Sequence, residues 1–533
     1  MMYNTLGIMI DCSRNAVMTP EKVKEFAKMI SDMGYNMLQL YTEDTYEMKG
    51  EPFFGHMRGR YTQQEIKDID AYCTSIGVEL IPCIQTLAHL NQLKQWEQYG
   101  KLFDCHDILM VGDDRVYTLI DKMFETLSKN FTSRRVNVGM DEAHFLGRGH
   151  YQDIHGYRDR VSILAEHLKK VVEIASKYGF TLMMWSDMFI RLHNGGGYYG
   201  ENIKIPQETI DSVPEGVELI YWDYYSKDKK RYDDMLKTHL DFKNPIGFAG
   251  GLWTWTGYAP NQQFTLDVTE AAMRSVVEHP VRDIFFTMWG DDGKDCSYFT
   301  MLPLLFAASQ MANGNFDRKN IAEKFEAKFG YTFEEFMNLE LPNITKDESS
   351  HNHNPSKYLL FNDPFLGIWD FTVPENLAER YRNAATKLEK SINGRSYDYL
   401  FDTEKKLLDV LALKADLGVR IRKAYKSNDR AMLCSITAED IPSLKLKLQA
   451  FAEAFRTLWL KENKAFGLEV QEQRLGGLMY RIEGCERRLL AYLAGHIPKI
   501  EELEEDSLEK YAGATGEGVK FNNWKETVTT SII

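Results

Sequence analysis

From residue 5 to about residue 315 the chain repeats one pattern: a short apolar run, a polar stretch, then a longer segment with apolar residues every three or four positions. The apolar runs fall at 6–10, 37–41, 78–82, 136–138, 182–185, 219–222, 246–249 and 284–288, and predict eight strands. The segments between them, among them 20–33, 63–75, 116–129 and 161–177, have the spacing of amphipathic helices, so the strands should run parallel. Eight such βα units predict a closed (β/α)8 TIM barrel of the α/β class. An open doubly wound sheet would carry a Gly-rich phosphate turn after its first strand, and none follows residue 10. Beyond residue 330 the strand-like runs stop and long helical patterns take over, at 374–393, 401–426 and 441–493, with Leu407, Leu408, Leu411 and Val419 as core positions. The expected organisation is a catalytic barrel over 1–325 and an all-α C-terminal domain over 326–533. Residues 346–355 read as a polar surface loop, and three glycines at 513–518 loosen the C-terminus.

Composition narrows the function. The net charge is −14 and no basic block appears, which argues against nucleic acid as a partner and against an anionic membrane surface. The seven cysteines are scattered, with no Cys/His spacing that suggests a metal, and read as reduced. The N-terminus runs straight into the first strand without a basic or apolar leader, from which a cytoplasmic location is expected.

Catalytic groups of such barrels sit where strands end and βα loops begin. Read in that light, the strand ends offer Asp11 and Arg14, Glu43 and Asp44, His89, the adjacent pair Asp141-Glu142, Trp185 and Asp187, Trp222 with Asp223, Tyr224 and Tyr225, Trp253 and Trp255, and Trp289 with Asp291. Neighbouring carboxylates at the end of a buried strand are costly unless chemistry uses them. Carboxylates alternating with indoles describe a sugar site: indole faces pack on the CH faces of pyranose rings while Asp, Glu and Arg bond the hydroxyls.

Several of these segments, in order, resemble the motifs of the family 20 glycoside hydrolases, the β-N-acetylhexosaminidases. Ile10-Asp11-Cys12-Ser13-Arg14 resembles the family's Leu-Asp-x-Ser-Arg. The run from Ile81 through His89 resembles Ile-Pro-Glu-x-Asp-x-Pro-Gly-His, and Asn137-Val138-Gly139-Met140-Asp141-Glu142 resembles His-x-Gly-Gly-Asp-Glu. Trp185-Ser186-Asp187 is similar to Trp-x-Glu, and Met288-Trp289-Gly290-Asp291 to Met-Trp-Gly-Glu. The resemblance implies that Glu142 is the general acid/base, in a partly desolvated site, and that Asp141 orients the substrate's 2-acetamido group, which is itself the nucleophile. It implies that Arg14 grips sugar hydroxyls, that His89 pairs with Glu43 or Asp44 behind the general acid, and that Asp291 takes further hydroxyls. Trp185, Trp222, Trp255 and Trp289 would line the sugar and its acetamide pocket. The tyrosine that many members supply on strand 7 is missing, leaving Tyr224 or Tyr225 for that contact.

The sequence departs from the family at Asn137, Cys83 and Gln85, which stand where the family has His, Glu and Asp. The first barrel strand begins at residue 6, which suggests a compact branch without the family's N-terminal α/β domain. Two glycines at 476 and 477 within a helical pattern mark close helix packing, or alternatively a subunit contact compatible with a homodimer. The expected activity is removal of terminal β-linked GlcNAc or GalNAc from an oligosaccharide, with no metal or organic cofactor. The alternatives are an enzyme resembling the O-GlcNAc hydrolases, which use two aspartates, and an inactive carbohydrate-binding barrel.

Overall fold

The structure, a computed structural model, describes residues 3–346, 354–508 and 524–531. Most of the polar stretch 346–355 and all of 513–518 lie outside the described residues. Eight strands, β1 (Thr5–Asp11), β2 (Met37–Tyr41), β3 (Glu79–Cys83), β4 (Arg135–Asn137), β5 (Thr181–Trp185), β6 (Glu218–Trp222), β7 (Ile246–Gly251) and β8 (Asp283–Met288), form a closed barrel in chain order. All eight pairings are parallel, and β1 closes the ring with Ile8 opposite Leu38 on one side and Phe286 on the other. The TIM-barrel expectation holds because the strands are buried on both faces. Every residue of β2, β6, β7 and β8 is buried, and such strands read as continuous apolar runs.

The crossover helices start where local chemistry says they should. Thr19 accepts from Lys22 N–H ahead of Pro20–Ser31, and Thr62 and Glu65 form a reciprocal capping box at Gln63–Ser75. One excursion is not visible as a pattern: between β3 and the crossover helix Asp114–Asn130, Phe103–Cys105 and Ile108–Leu109 form a small antiparallel ribbon.

Side chains on alternate positions of each strand share the barrel interior. At its N-terminal end Arg135 of β4 reaches Glu79 of β3 (3.3 Å), Glu218 of β6 (3.5 Å) and Asp283 of β8. Thr5 of β1 donates to the same Asp283 carboxyl. Burial and the neighbouring Asp283 raise the pKa of Glu218. The interior therefore carries a charge cluster at one end and leaves the other end for the candidate site.

The chain divides into two compact units, one of residues 1–252, 265–288 and 305–321, the other of 253–264, 289–304 and 322–533. The segments that follow β7 and β8 thus belong to the second unit. That unit is helical, with Leu377–Glu389, Asp398–Lys414, Leu417–Lys426, Ile441–Glu462 and Leu468–Leu493 as its longer elements. Leu407, Leu408 and Leu411 are fully buried and Val419 is half-buried. The expected continuous helix 441–493 is broken between Asn463 and Gly467, whose φ of +90° is left-handed and free only to glycine. The expected close packing at Gly476 and Gly477 is absent: both are exposed, and a Cβ at either position meets nothing within 4 Å.

Candidate active site

Beyond Asn137 the chain leaves β4 through a turn in which Gly139 (φ +73°), Met140 (φ +70°) and Glu142 (φ +54°) are all left-handed. His89, after β3, is left-handed too (φ +58°). Such backbone in non-glycine residues persists only where surrounding contacts impose it, and it concentrates at functional sites. The contacts here are explicit. Gln85 Oε1 accepts Met140 N–H (3.2 Å), while its Nε2 donates to Asp141 Oδ1 (2.8 Å) and reaches the Tyr41 hydroxyl (3.2 Å). Asn137 Oδ1 accepts Gly139 N–H (3.1 Å), and Asp187 Oδ2 accepts Glu142 N–H (3.2 Å). Gln85 and Asn137, the two polar departures from the family pattern, are thus the groups that brace this turn.

Gly139 has no room for a side chain, since a Cβ would collide with the Gln85 amide. Gly139→Ala is expected to cost about 1–2 kcal/mol of stability from its left-handed backbone alone. It should also lower turnover, by displacing the amide that holds Asp141. Urea unfolding midpoints beside steady-state rates check both, and an unchanged midpoint would contradict the bracing role.

The two adjacent carboxylates occupy different environments. Asp141 is buried, with His89 Nε2 3.2 Å from Oδ2 and Gln85 on the other oxygen. Burial pushes its pKa up, but the charge and contact of His89, the Gln85 hydrogen bond and Arg14 outweigh that and hold the carboxyl below the usual range. Reciprocally, burial lowers His89, while Asp141 more than compensates and carries it up to about 9, so it is an imidazolium at neutral pH. Glu142 is placed otherwise: its Oε2 lies 3.8 Å from His89 Nε2 and its side chain is 41% exposed. The expected desolvation of Glu142 is therefore not found.

Arg14 is fixed by Asp11 Oδ2 (3.1 Å) and Glu43 Oε1 (3.0 Å), with its guanidinium 4.7 Å from the centre of the Tyr41 ring. The expected partnership of His89 with Glu43 or Asp44 is corrected by these contacts. Glu43 takes Arg14, Ser13 Oγ (3.1 Å) and the Tyr41 hydroxyl (3.1 Å), and Asp44 pairs with Arg58 (2.8 Å) deep in the β2 loop. Burial raises Asp44, against the pull of Arg58, to about 6. The carboxylate that His89 meets besides Asp141 and Glu142 is Asp107 in the turn of the small ribbon, whose Oδ2 accepts His89 N–H (3.1 Å) and lies 4.0 Å from Nδ1.

Trp185 is a core side chain, 1% exposed and 5.8 Å from the Phe285 ring. Trp222 is stacked on Tyr224 (5.3 Å, 27°) and packs against Tyr198 (4.8 Å); both Trp222 and Tyr224 are buried, and Tyr225 is half-buried. Trp255, Trp289 and Asp291 lie on the segments of the second unit. There Trp255 stacks on Trp253 (4.4 Å, 27°) and Thr254 Oγ1 donates to the Trp289 carbonyl (2.9 Å). The backbone just past Asp291 is held by Lys357, which pairs with Asp292 (2.9 Å) and Asp295 (2.5 Å), and by Arg474 and Gln471, which donate to the carbonyls of Asp292 and Gly293.

The sequence reading named Gln85 and Asp187 without giving either a role, and it missed Asp107, Arg191 and Tyr198. Asp187 is fully buried and carries Arg191 four residues on along the short helix Asp187–Arg191, with Nε 2.9 Å from Oδ2. Asp187 stands in the Trp185-Ser186-Asp187 motif, but Arg191 belongs to none. Tyr198 comes from the irregular segment after that helix, shares a hydrogen bond with Ser186 Oγ (3.0 Å) and accepts Trp222 N–H (3.3 Å).

Among the described residues no group of three His, Cys, Asp or Glu side chains is arranged to hold a metal ion, and no helix is long and apolar enough to cross a membrane. The first unit thus presents an ionised, clamped carboxylate beside an accessible one, flanked by a half-buried imidazolium and an anchored arginine.

Residues 3–225 match the glycosyl hydrolase family 20 catalytic domain, and residues 334–521 match the glycoside hydrolase 20C C-terminal domain. The chain is 24% identical over 222 residues to hexosaminidase D of Bos taurus, covering 38% of this chain and 60% of that protein. It is 23% identical over 225 residues to hexosaminidase D of Homo sapiens, covering 38% and 42%. It therefore spans less than two thirds of these relatives. The crystal structure of a β-N-acetylhexosaminidase from Bacteroides fragilis aligns with 61% of this chain and 69% of that one, at 17% identity and a TM-score of 0.46.

Proposed function

Since the chain belongs to glycoside hydrolase family 20, we propose that it is an exo-acting, retaining β-N-acetylhexosaminidase that removes terminal β-linked GlcNAc or GalNAc by substrate-assisted catalysis. The observation that carries this reading is the clamped, ionised Asp141 beside the accessible Glu142. Glu142 gives its proton to the glycosidic oxygen as the bond to C1 breaks, and the carbonyl oxygen of the substrate's own acetamido group closes on C1. The resulting oxazolinium ion carries positive charge on its nitrogen. Asp141, kept anionic, accepts the acetamido N–H and balances that charge. Glu142, now a carboxylate, takes a proton from the water that opens the ring, and the configuration at C1 is retained.

Asp141 suits the orienting role better than that of a nucleophile, because both its oxygens are already engaged by Gln85 and His89. Arg14, immobilised between Asp11 and Glu43, keeps a guanidinium ready for sugar hydroxyls. The Trp222–Tyr224 stack supports an aromatic wall, and Tyr224 and Tyr225 both remain sources of a hydroxyl for the acetamido oxygen.

The test is hydrolysis of the p-nitrophenyl β-glycosides of GlcNAc, GalNAc and glucose. Release from the two acetamido sugars and none from glucose is expected, since glucose lacks the internal nucleophile. Comparable cleavage of the glucoside would overturn substrate assistance, and an inert protein would overturn the activity itself.

A further inference from the structure

We propose that Arg191 is the positioning residue of the general acid: it steers the Glu142 carboxyl and takes up the negative charge left there when the proton is given to the leaving group. This rests on the acid/base role proposed for Glu142. The geometry that carries it starts at Asp187. One oxygen of that fully buried carboxylate, Oδ2, accepts both the Glu142 backbone N–H (3.2 Å) and Arg191 Nε (2.9 Å). Backbone and guanidinium are thereby tied to the same atom, and Arg191 NH2 comes to 3.7 Å from Glu142 Oε1.

Arg191 is not a mobile surface arginine. Its side chain is 16% exposed, its NH1 donates to the Gly196 carbonyl (3.3 Å), and its guanidinium lies 5.4 Å from the Tyr198 ring centre and 5.7 Å from that of Trp222. Packed against these two adjoining rings and tied to Asp187 and Gly196, a planar fork is held in one orientation before substrate arrives, which is what a group acting only in the transition state requires. On the opposite side, His89 lies 3.8 Å from the other Glu142 oxygen. The two oxygens of Glu142 thus face different cations, and the arginine is the one that cannot lose its charge with pH. His144, which follows closely after the turn, is held below its usual pKa by burial and then by Arg191, and so does not compete as a third cation.

The experiment compares kcat/KM on two β-GlcNAc substrates, because this parameter reports the step in which the glycosidic bond breaks. A p-nitrophenolate leaving group needs little protonation; the sugar alcohol released from N,N′-diacetylchitobiose needs it fully. For Arg191→Met, kcat/KM on the disaccharide should fall about a hundredfold, within the range that proton donation is worth, and on the p-nitrophenyl glycoside less than about tenfold. Arg191→Lys, which keeps the charge but loses the fork, should recover part of the loss on the disaccharide only.

An equal loss on both substrates would overturn the proposal, because a structural defect does not distinguish leaving groups. No loss on either would overturn it as well. Should Arg191→Met fail to fold, the same selectivity measured on Arg191→Lys decides alone. Wild-type protein inert toward every β-GlcNAc substrate would instead remove the underlying reading, and Arg191's role with it.

Discussion

Glu142→Gln is expected to lose about 10² to 10⁴ in kcat on substrates with alkyl or sugar leaving groups, while KM stays within a few-fold of wild type. The amide preserves shape and cannot donate the proton that the departing oxygen needs. The carboxyl side chain is 41% exposed and its contacts to His89 and Arg191 are long, at 3.8 and 3.7 Å, so the substitution leaves little unpaired charge and the fold should persist. The loss should shrink on p-nitrophenyl glycosides, and added azide should restore part of the rate by attacking an intermediate that no longer has a base to activate water. Steady-state rates with and without azide check this. Near-wild-type turnover on the disaccharide would remove Glu142 from the mechanism.

Asp141→Asn should cost about 10² to 10³ in kcat for a different reason, the loss of the anion that balances the oxazolinium nitrogen. It also carries a signature no general defect would produce. His89 titrates near 9 because Asp141 overrides the downward pull of burial. With a neutral amide in place, the imidazole should fall to or below its ordinary value of about 6.5 and be neutral at pH 7.5. The sign of the linked stability follows. A raised histidine stabilises the fold fully below its unfolded pKa, and that contribution is lost as pH rises through about 9 in the wild type. Asp141, held low, contributes in the opposite sense, above its unfolded pKa, and loses its share in acid. The variant should therefore lose the alkaline decline in stability between pH 7 and 9. An imidazole titration by NMR, beside unfolding midpoints across that range, reads both; a His89 that still titrates near 9 would show that Asp141 is not its principal partner.

The barrel was legible because its strands are largely buried, so each announced itself as a short, mainly apolar run at nearly its true position, even where Gln39, Glu79, Asn137 or Thr287 interrupts it. The turn after β4 stood out because Asp141-Glu142 closes a buried strand, although only Asp141 proves to be buried there. What the sequence concealed depends on segments without periodicity. The ribbon around 103–109 brings Asp107 to His89, and nothing in its pattern points to β3, so the histidine was matched to the nearest acidic strand end instead. Asp187 and Arg191 are four apart on a helix of only five residues, too short to register as amphipathic. In the helical unit, apolar spacing continues across the break at Asn463–Gly467, so periodicity alone could not reveal it. The grouping of 253–264 and 289–304 with the helices is likewise a matter of three-dimensional contact that no rhythm along the chain encodes.

Arg135 sets a condition on how the barrel comes into being. It stands on β4, and its carboxylate partners come from β3 in the half made first and from β6 and β8 in the half made last. A nascent chain that has emerged only through β4 holds this cation with Glu79 alone, and a fragment containing β5 through β8 holds Glu218 and Asp283 with only the more exposed Arg282, 3.7 Å from Asp283, beside them. Closing the ring therefore brings carboxylates of both halves onto one guanidinium, so that Arg135 ties β4 to β3, β6 and β8 only once the final strand has docked.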